Sequence, residues 1–141
     1  MILALTSFGF GVCAWVASLV GDHVGCGLLI TLAMCSITHH SHGTDSSAYI
    51  GGAIISTVDK ITSHVITLRC LHSALQFGWY ALPVYIDIGY VAYVFYAYIH
   101  HNKIVYVKNV IYPWHVSIHL VSQFGVLYIY TLKTLGHDTV K

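Results

Sequence analysis

Histidines with the spacing of metal ligands are the most informative feature of this sequence. His115 and His119 form an H-x-x-x-H pair, and two imidazoles four residues apart on a helix can hold one metal ion. A third histidine from another helix, such as His40, would complete the three protein ligands and open position that are typical of catalytic zinc. The sequence therefore predicts a metal site. The alternative is that these histidines form hydrogen bonds between helices.

Two further polar residues are placed to share that site. Ser36 and His40 form an S-x-x-x-H pair, which puts both side chains on one helix face. Asp59 is one of five acidic residues in the chain and lies inside an apolar segment. A charge at the centre of a membrane helix costs about 2.5–3.5 kcal/mol on insertion scales, so such residues usually face an interior and mark a site. Two readings stay open: His39 could replace His40, and His64 is either a core histidine or a partner of Asp59.

The elements that must position these residues have the composition of a membrane protein. The chain has 141 residues, of which 57% are hydrophobic and 8% charged, and its mean hydropathy is +0.72. About 20 apolar residues in a helix cross a bilayer. We therefore predict an all-α, polytopic transmembrane helical bundle of about five spans, in a single integral membrane domain over residues 1–141. The predicted spans are Leu3–Val20, Gly25–Thr38, Tyr49–Leu68, Leu71–Ile99 and Val107–Leu132.

The fourth predicted span is longer than one crossing needs, so it is either tilted, kinked at Pro83 or split in two. If it crosses once, the loops at residues 39–48 and 100–108 lie on the same face of the membrane. Lysines in the second loop weakly assign that face to the cytoplasm. The expected partner is the lipid bilayer. A net charge of +1 argues against nucleic acid as a partner.

The order of these motifs resembles the CREST superfamily of membrane metallohydrolases, which includes alkaline ceramidases, progestin and adiponectin receptors and haemolysin III-like proteins. In that family a serine, an aspartate and three histidines surround a zinc ion near one membrane face. The matching residues here are Ser36, His40, Asp59, His115 and His119. The Asp-Lys pair in VDK and the tryptophan before the late histidines also look like the family. Its members typically have seven spans, so five spans imply a reduced or divergent member.

The resemblance implies a zinc-dependent membrane hydrolase that acts on a lipid amide or ester. Zinc held by His40, His115 and His119 would lower the pKa of a bound water towards 7 and polarise a carbonyl. Asp59 would accept the proton of the water and return it to the leaving group. Ser36 would hydrogen-bond the water or the oxyanion. The substrate would reach the site from the bilayer.

Two other functions fit the same sequence. The first is a non-catalytic structural or assembly subunit of a membrane complex, in which histidines pair across helices and the partners are other membrane subunits. The second is a haem-binding bundle with bis-histidine ligation, for which His64 and His119 are the candidate ligands. The metal content of the purified protein separates the first from a metalloenzyme, and a visible Soret band would identify the second.

Overall fold

The computed structural model describes residues 2–41, 51–96 and 108–136. These residues are helical and contain no strand, which confirms the predicted all-α class for the described part of the chain. They divide into two compact units, Met1–Arg69 and Cys70–Lys141. The single domain over residues 1–141 stays a prediction. The helices are α1 (Ile2–Leu19), α2 (His23–Ser41), α3 (Gly52–Phe77), a 3-10 turn (Gly78–Ala81), α4 (Leu82–Tyr93) and α5 (Lys108–Thr134).

Among the described helices, α1 and α2 are long and apolar enough to cross a membrane, judged by length and composition alone. They contain 18 and 19 residues, which corresponds to about 27–29 Å at 1.5 Å per residue. Such a length is close to the bilayer core thickness of about 30 Å. The five-span bundle stays a prediction.

The first unit is built on the packing of α1 against α2. The turn between them contains Gly21, whose φ of 76° lies in the left-handed region that favours glycine. Small residues occupy many of the buried positions of the two helices, and large apolar side chains are exposed. Membrane helices associate through small residues in this way. The buried small residues are Ser7, Ala14, Ala17, Gly25, Ala33 and Ser36, and the exposed apolar residues include Phe8, Trp15, Ile30 and Met34.

Residues 52–69 of α3 belong to the same unit and are tied to the start of α2 by an ion pair. Arg69 Nη2 donates to both carboxylate oxygens of Asp22, at 2.9 and 3.0 Å. The same carboxylate accepts a hydrogen bond from the amide of Gly25 at 2.8 Å, which caps α2. Asp22 therefore stabilises the start of α2 and holds α3 beside it.

The predicted boundary between the third and fourth spans is wrong. The two segments were expected to separate near Arg69, but α3 continues without a break to Phe77. The reason is that the charge of Arg69 is paired with Asp22 within the unit, so it does not mark a helix end. The actual break comes at Gly78, whose φ of 57° is left-handed. Pro83 lies in the first turn of α4, where a proline is accommodated without kinking the helix.

The second unit contains residues 70–77 of α3, the 3-10 turn, α4 and α5. Its α4 and α5 pack against each other, through a side-chain hydrogen bond and a close approach at a glycine. The hydroxyl groups of Tyr90 and Ser117 are 2.9 Å apart. A Cβ atom added to Gly125 would lie 3.1 Å from Oδ2 of Asp87, so this glycine permits a close approach. The buried core consists of Ala74, Phe77, Ala81, Val84, Ile129 and Leu132.

Candidate metal centre

The three predicted histidine ligands are divided between the two units. His40 lies at the end of α2 in the first unit, and His115 and His119 lie on α5 in the second. His40 and His119 are 7% and 5% exposed, and His115 is half-buried. The three-histidine zinc site therefore stays a prediction.

Within each unit, histidine rings lie close to each other. The rings of His115 and His119, one turn apart on α5, lie edge to face with centroids 5.1 Å apart, as their spacing predicts. At the end of α2, the rings of the sequence neighbours His39 and His40 have centroids 5.1 Å apart. His39 is also close enough to Lys60 for the two to interact electrostatically.

The serine and the acid of the predicted site are in direct contact. The side chain of Ser36, which is 2% exposed, is hydrogen-bonded to the carboxylate of Asp59. Oδ1 of Asp59 is buried and has no hydrogen-bond partner within the described part of the chain. Because Ser36 and His40 lie one turn apart on α2, Asp59 is held against the helix face that also carries His40. A buried carboxylate oxygen without a donor is suited to accept a proton from a ligand.

Two other polar side chains of α3 make contacts with the backbone of their own helix. The hydroxyl of Ser63 donates to the carbonyl of Lys60 at 2.8 Å. His64 is exposed, and its Nδ1 lies 2.7 Å from the same carbonyl, so it is not a core histidine. The loop residues 42–50 and 97–107, with the predicted arrangement of the two loops, lie outside the described residues.

Sequence reasoning missed Ser7, which completes the polar contacts around Ser36. Ser7 is fully buried in α1, and its Oγ lies 2.9 Å from Oγ of Ser36. The only sequence signal is a serine spaced at helical intervals from the buried residues Leu3, Phe10 and Ala14. That pattern indicates burial, but it does not identify the residue that Ser7 meets.

No family model, no curated protein and no solved structure matches this chain. The resemblance to the CREST superfamily therefore stays a hypothesis that depends on the three motifs. The feature that favours a function for this chain is the contact between Asp59 and Ser36 on the α2 face that also carries His40.

Proposed function

We propose that this protein is a zinc-dependent membrane hydrolase that cleaves a lipid amide or ester. The observation that carries the proposal is the contact between Ser36 and Asp59 on the α2 face that also carries His40. A general base, its orienting partner and a metal-ligand cluster are the parts that metal-assisted hydrolysis requires. The chain supplies a candidate for each of them.

Zinc bound by the three histidines would polarise a carbonyl and make a water more acidic. The protein residues have separate tasks. Asp59 accepts a proton through its buried Oδ1, which has no donor among the described residues, and returns it to the leaving group. Ser36 orients the carboxylate through their hydrogen bond. With substrate present, the predicted bond from Ser36 to an oxyanion would replace its bond to Asp59, because a serine hydroxyl has one proton to donate.

A lipid substrate is favoured by the helix that carries the site. Ser36 and His40 lie on α2, which, like α1, is long and apolar enough to cross a membrane. Large apolar side chains on α1 and α2, including Trp15 and Met34, are exposed, as expected for a surface that faces acyl chains. A substrate with an acyl chain would therefore approach along the same apolar surface that surrounds the helices.

Metal analysis and hydrolysis assays on the purified full chain test the proposal. Wild-type protein in detergent should contain zinc and hydrolyse the para-nitrophenyl ester or the para-nitroanilide of dodecanoic acid. His119→Ala should lose the metal and the activity together, because a buried ligand is removed. His64→Ala is the matched control, since His64 is an exposed histidine on α3. Equal and low metal content in wild type and His119→Ala would refute the proposal. A Soret band in the wild-type protein that is lost in both His64→Ala and His119→Ala would favour haem binding instead.

A further inference from the structure

Three polar side chains from three helices form a hydrogen-bonded row. Ser7 on α1 contacts Ser36 on α2 at 2.9 Å, and Ser36 is hydrogen-bonded to Asp59 on α3. Ser7 and Ser36 are 0% and 2% exposed. We propose that Ser7 is a positioning residue, whose hydroxyl directs the Ser36 proton to Asp59 and so holds the base in place. This inference rests on the proposed function of Asp59.

The number of available hydroxyl protons determines the direction of the hydrogen bonds between Ser7, Ser36 and Asp59. An ionised carboxylate only accepts, and a serine hydroxyl carries one proton. When Asp59 is ionised, Ser36 must therefore donate its proton to the carboxylate. The 2.9 Å contact between the two serines then needs the proton of Ser7, because otherwise two lone pairs would face each other. Ser7 is therefore the donor to Ser36.

The competing acceptor of Ser7 does not need its hydroxyl. Oγ of Ser7 is also 2.8 Å from the carbonyl oxygen of Leu3. That carbonyl is the regular acceptor of the backbone amide of Ser7 in an α-helix. The carbonyl of Leu3 therefore stays hydrogen-bonded when the hydroxyl of Ser7 turns to Ser36. Oγ of Ser36, whose own proton is donated to Asp59, has a lone pair that can accept the proton of Ser7. The arrangement that satisfies all three groups therefore has Ser7 donating to Ser36.

Other helical hydroxyls show what Ser36 would do without Ser7. Thr31, Thr38 and Thr57 each donate to the carbonyl four residues earlier in their own helix, at 2.8–2.9 Å. The described hydrogen bonds of Ser36 are instead to the side chains of Ser7 and Asp59. A donor on Ser36 Oγ polarises its O–H bond and strengthens the bond to Asp59. Removing Ser7 would let Ser36 turn back to its own helix.

Substitution of Ser7, with two readouts, tests this assignment. Ser7→Ala should lower kcat about three- to tenfold, the effect of one hydrogen bond, with KM and zinc content unchanged. Ser7→Thr keeps a hydroxyl and should restore kcat. Ser18→Ala is the matched control, because Ser18 is an exposed serine on the same helix. If Ser7→Ala does not fold, Ser7→Cys replaces it, since cysteine has a similar shape and only a weak donor.

Infrared spectroscopy of the metal-free protein supplies the second readout, which does not depend on catalysis. The carboxylate band of Asp59, identified by its loss in Asp59→Asn, should shift in Ser7→Ala and Ser36→Ala and stay unchanged in Ser18→Ala. An unshifted band in Ser7→Ala would overturn the role of Ser7, whether or not the protein is a hydrolase. A shifted band in a protein without zinc or activity would support the row and refute the proposed function instead.

Discussion

Loss of the carboxylate of Asp22 should destabilise the first unit by about 2 kcal/mol, because one side chain makes two kinds of contact. Its bond to the amide of Gly25, at 2.8 Å, is an N-cap, and removing such a cap costs about 1 kcal/mol. Its ion pair with Arg69 is partly shielded, with side-chain exposures of 16% for Asp22 and 42% for Arg69. Exposed pairs contribute about 0.2–1 kcal/mol and hydrogen bonds to charged groups about 1.5–3, so we assign about 1 kcal/mol to this pair.

Three substitutions separate the two contacts. Asp22→Ala removes both and should cost about 2 kcal/mol, whereas Asp22→Asn keeps an oxygen for the cap and should cost about 1. Arg69→Gln should also cost about 1 kcal/mol, because it removes only the charge of the pair. The measurement is the free energy of unfolding in detergent, followed by circular dichroism during titration with denaturant. The double substitution of Asp22→Asn with Arg69→Gln should show a coupling of about 1 kcal/mol.

A coupling close to zero would refute the reasoning, since it would mean that the ion pair does not hold α3 beside the start of α2. Equal costs for Asp22→Ala and Asp22→Asn would contradict the capping role. The coupling free energy between Asp22 and Arg69 should also fall as the salt concentration rises, because the ion pair is partly exposed to solvent. A salt-independent coupling would point to packing of the Arg69 side chain as the source of the stability.

Three further substitutions test the packing and the site. Gly125→Ala should cost up to about 2 kcal/mol in the same unfolding assay, because the new Cβ would meet Oδ2 of Asp87 at 3.1 Å, at a cost of about 1–3 kcal/mol, while the better helix propensity of alanine offsets about 1 kcal/mol. Combining Gly125→Ala with Asp87→Ala should recover most of the lost stability. If stability is not recovered, the strain does not come from the contact with Asp87. Asp59→Asn should keep the fold and the zinc content while it abolishes hydrolysis, so retained activity would remove Asp59 as the base. His115→Ala should lower the zinc content measured by elemental analysis while His64→Ala does not, and equal metal content would exclude His115 as a ligand.

Local spacing in the sequence predicted the parts of the site that lie on one helix. Residues four apart share a helix face, so the closeness of His115 and His119 follows from periodicity once α5 is helical. The same holds for Ser36 and His40 on α2. The all-α class was likewise predictable, because long continuous apolar segments favour helices. None of these inferences depends on which helices pack against each other.

Contacts between distant residues were decided only by the tertiary structure. In the sequence, Arg69 suggests the end of an apolar span, but its charge is paired with Asp22, and α3 continues to Phe77. Ser7 is an ordinary serine in an apolar helix until packing brings it to Ser36. The physical reason is that helical periodicity determines which side chains share a face, whereas burial and hydrogen bonding depend on the face that a second helix presents. The pairing of Ser7 with Ser36 and of Asp22 with Arg69 therefore could not be predicted from local spacing.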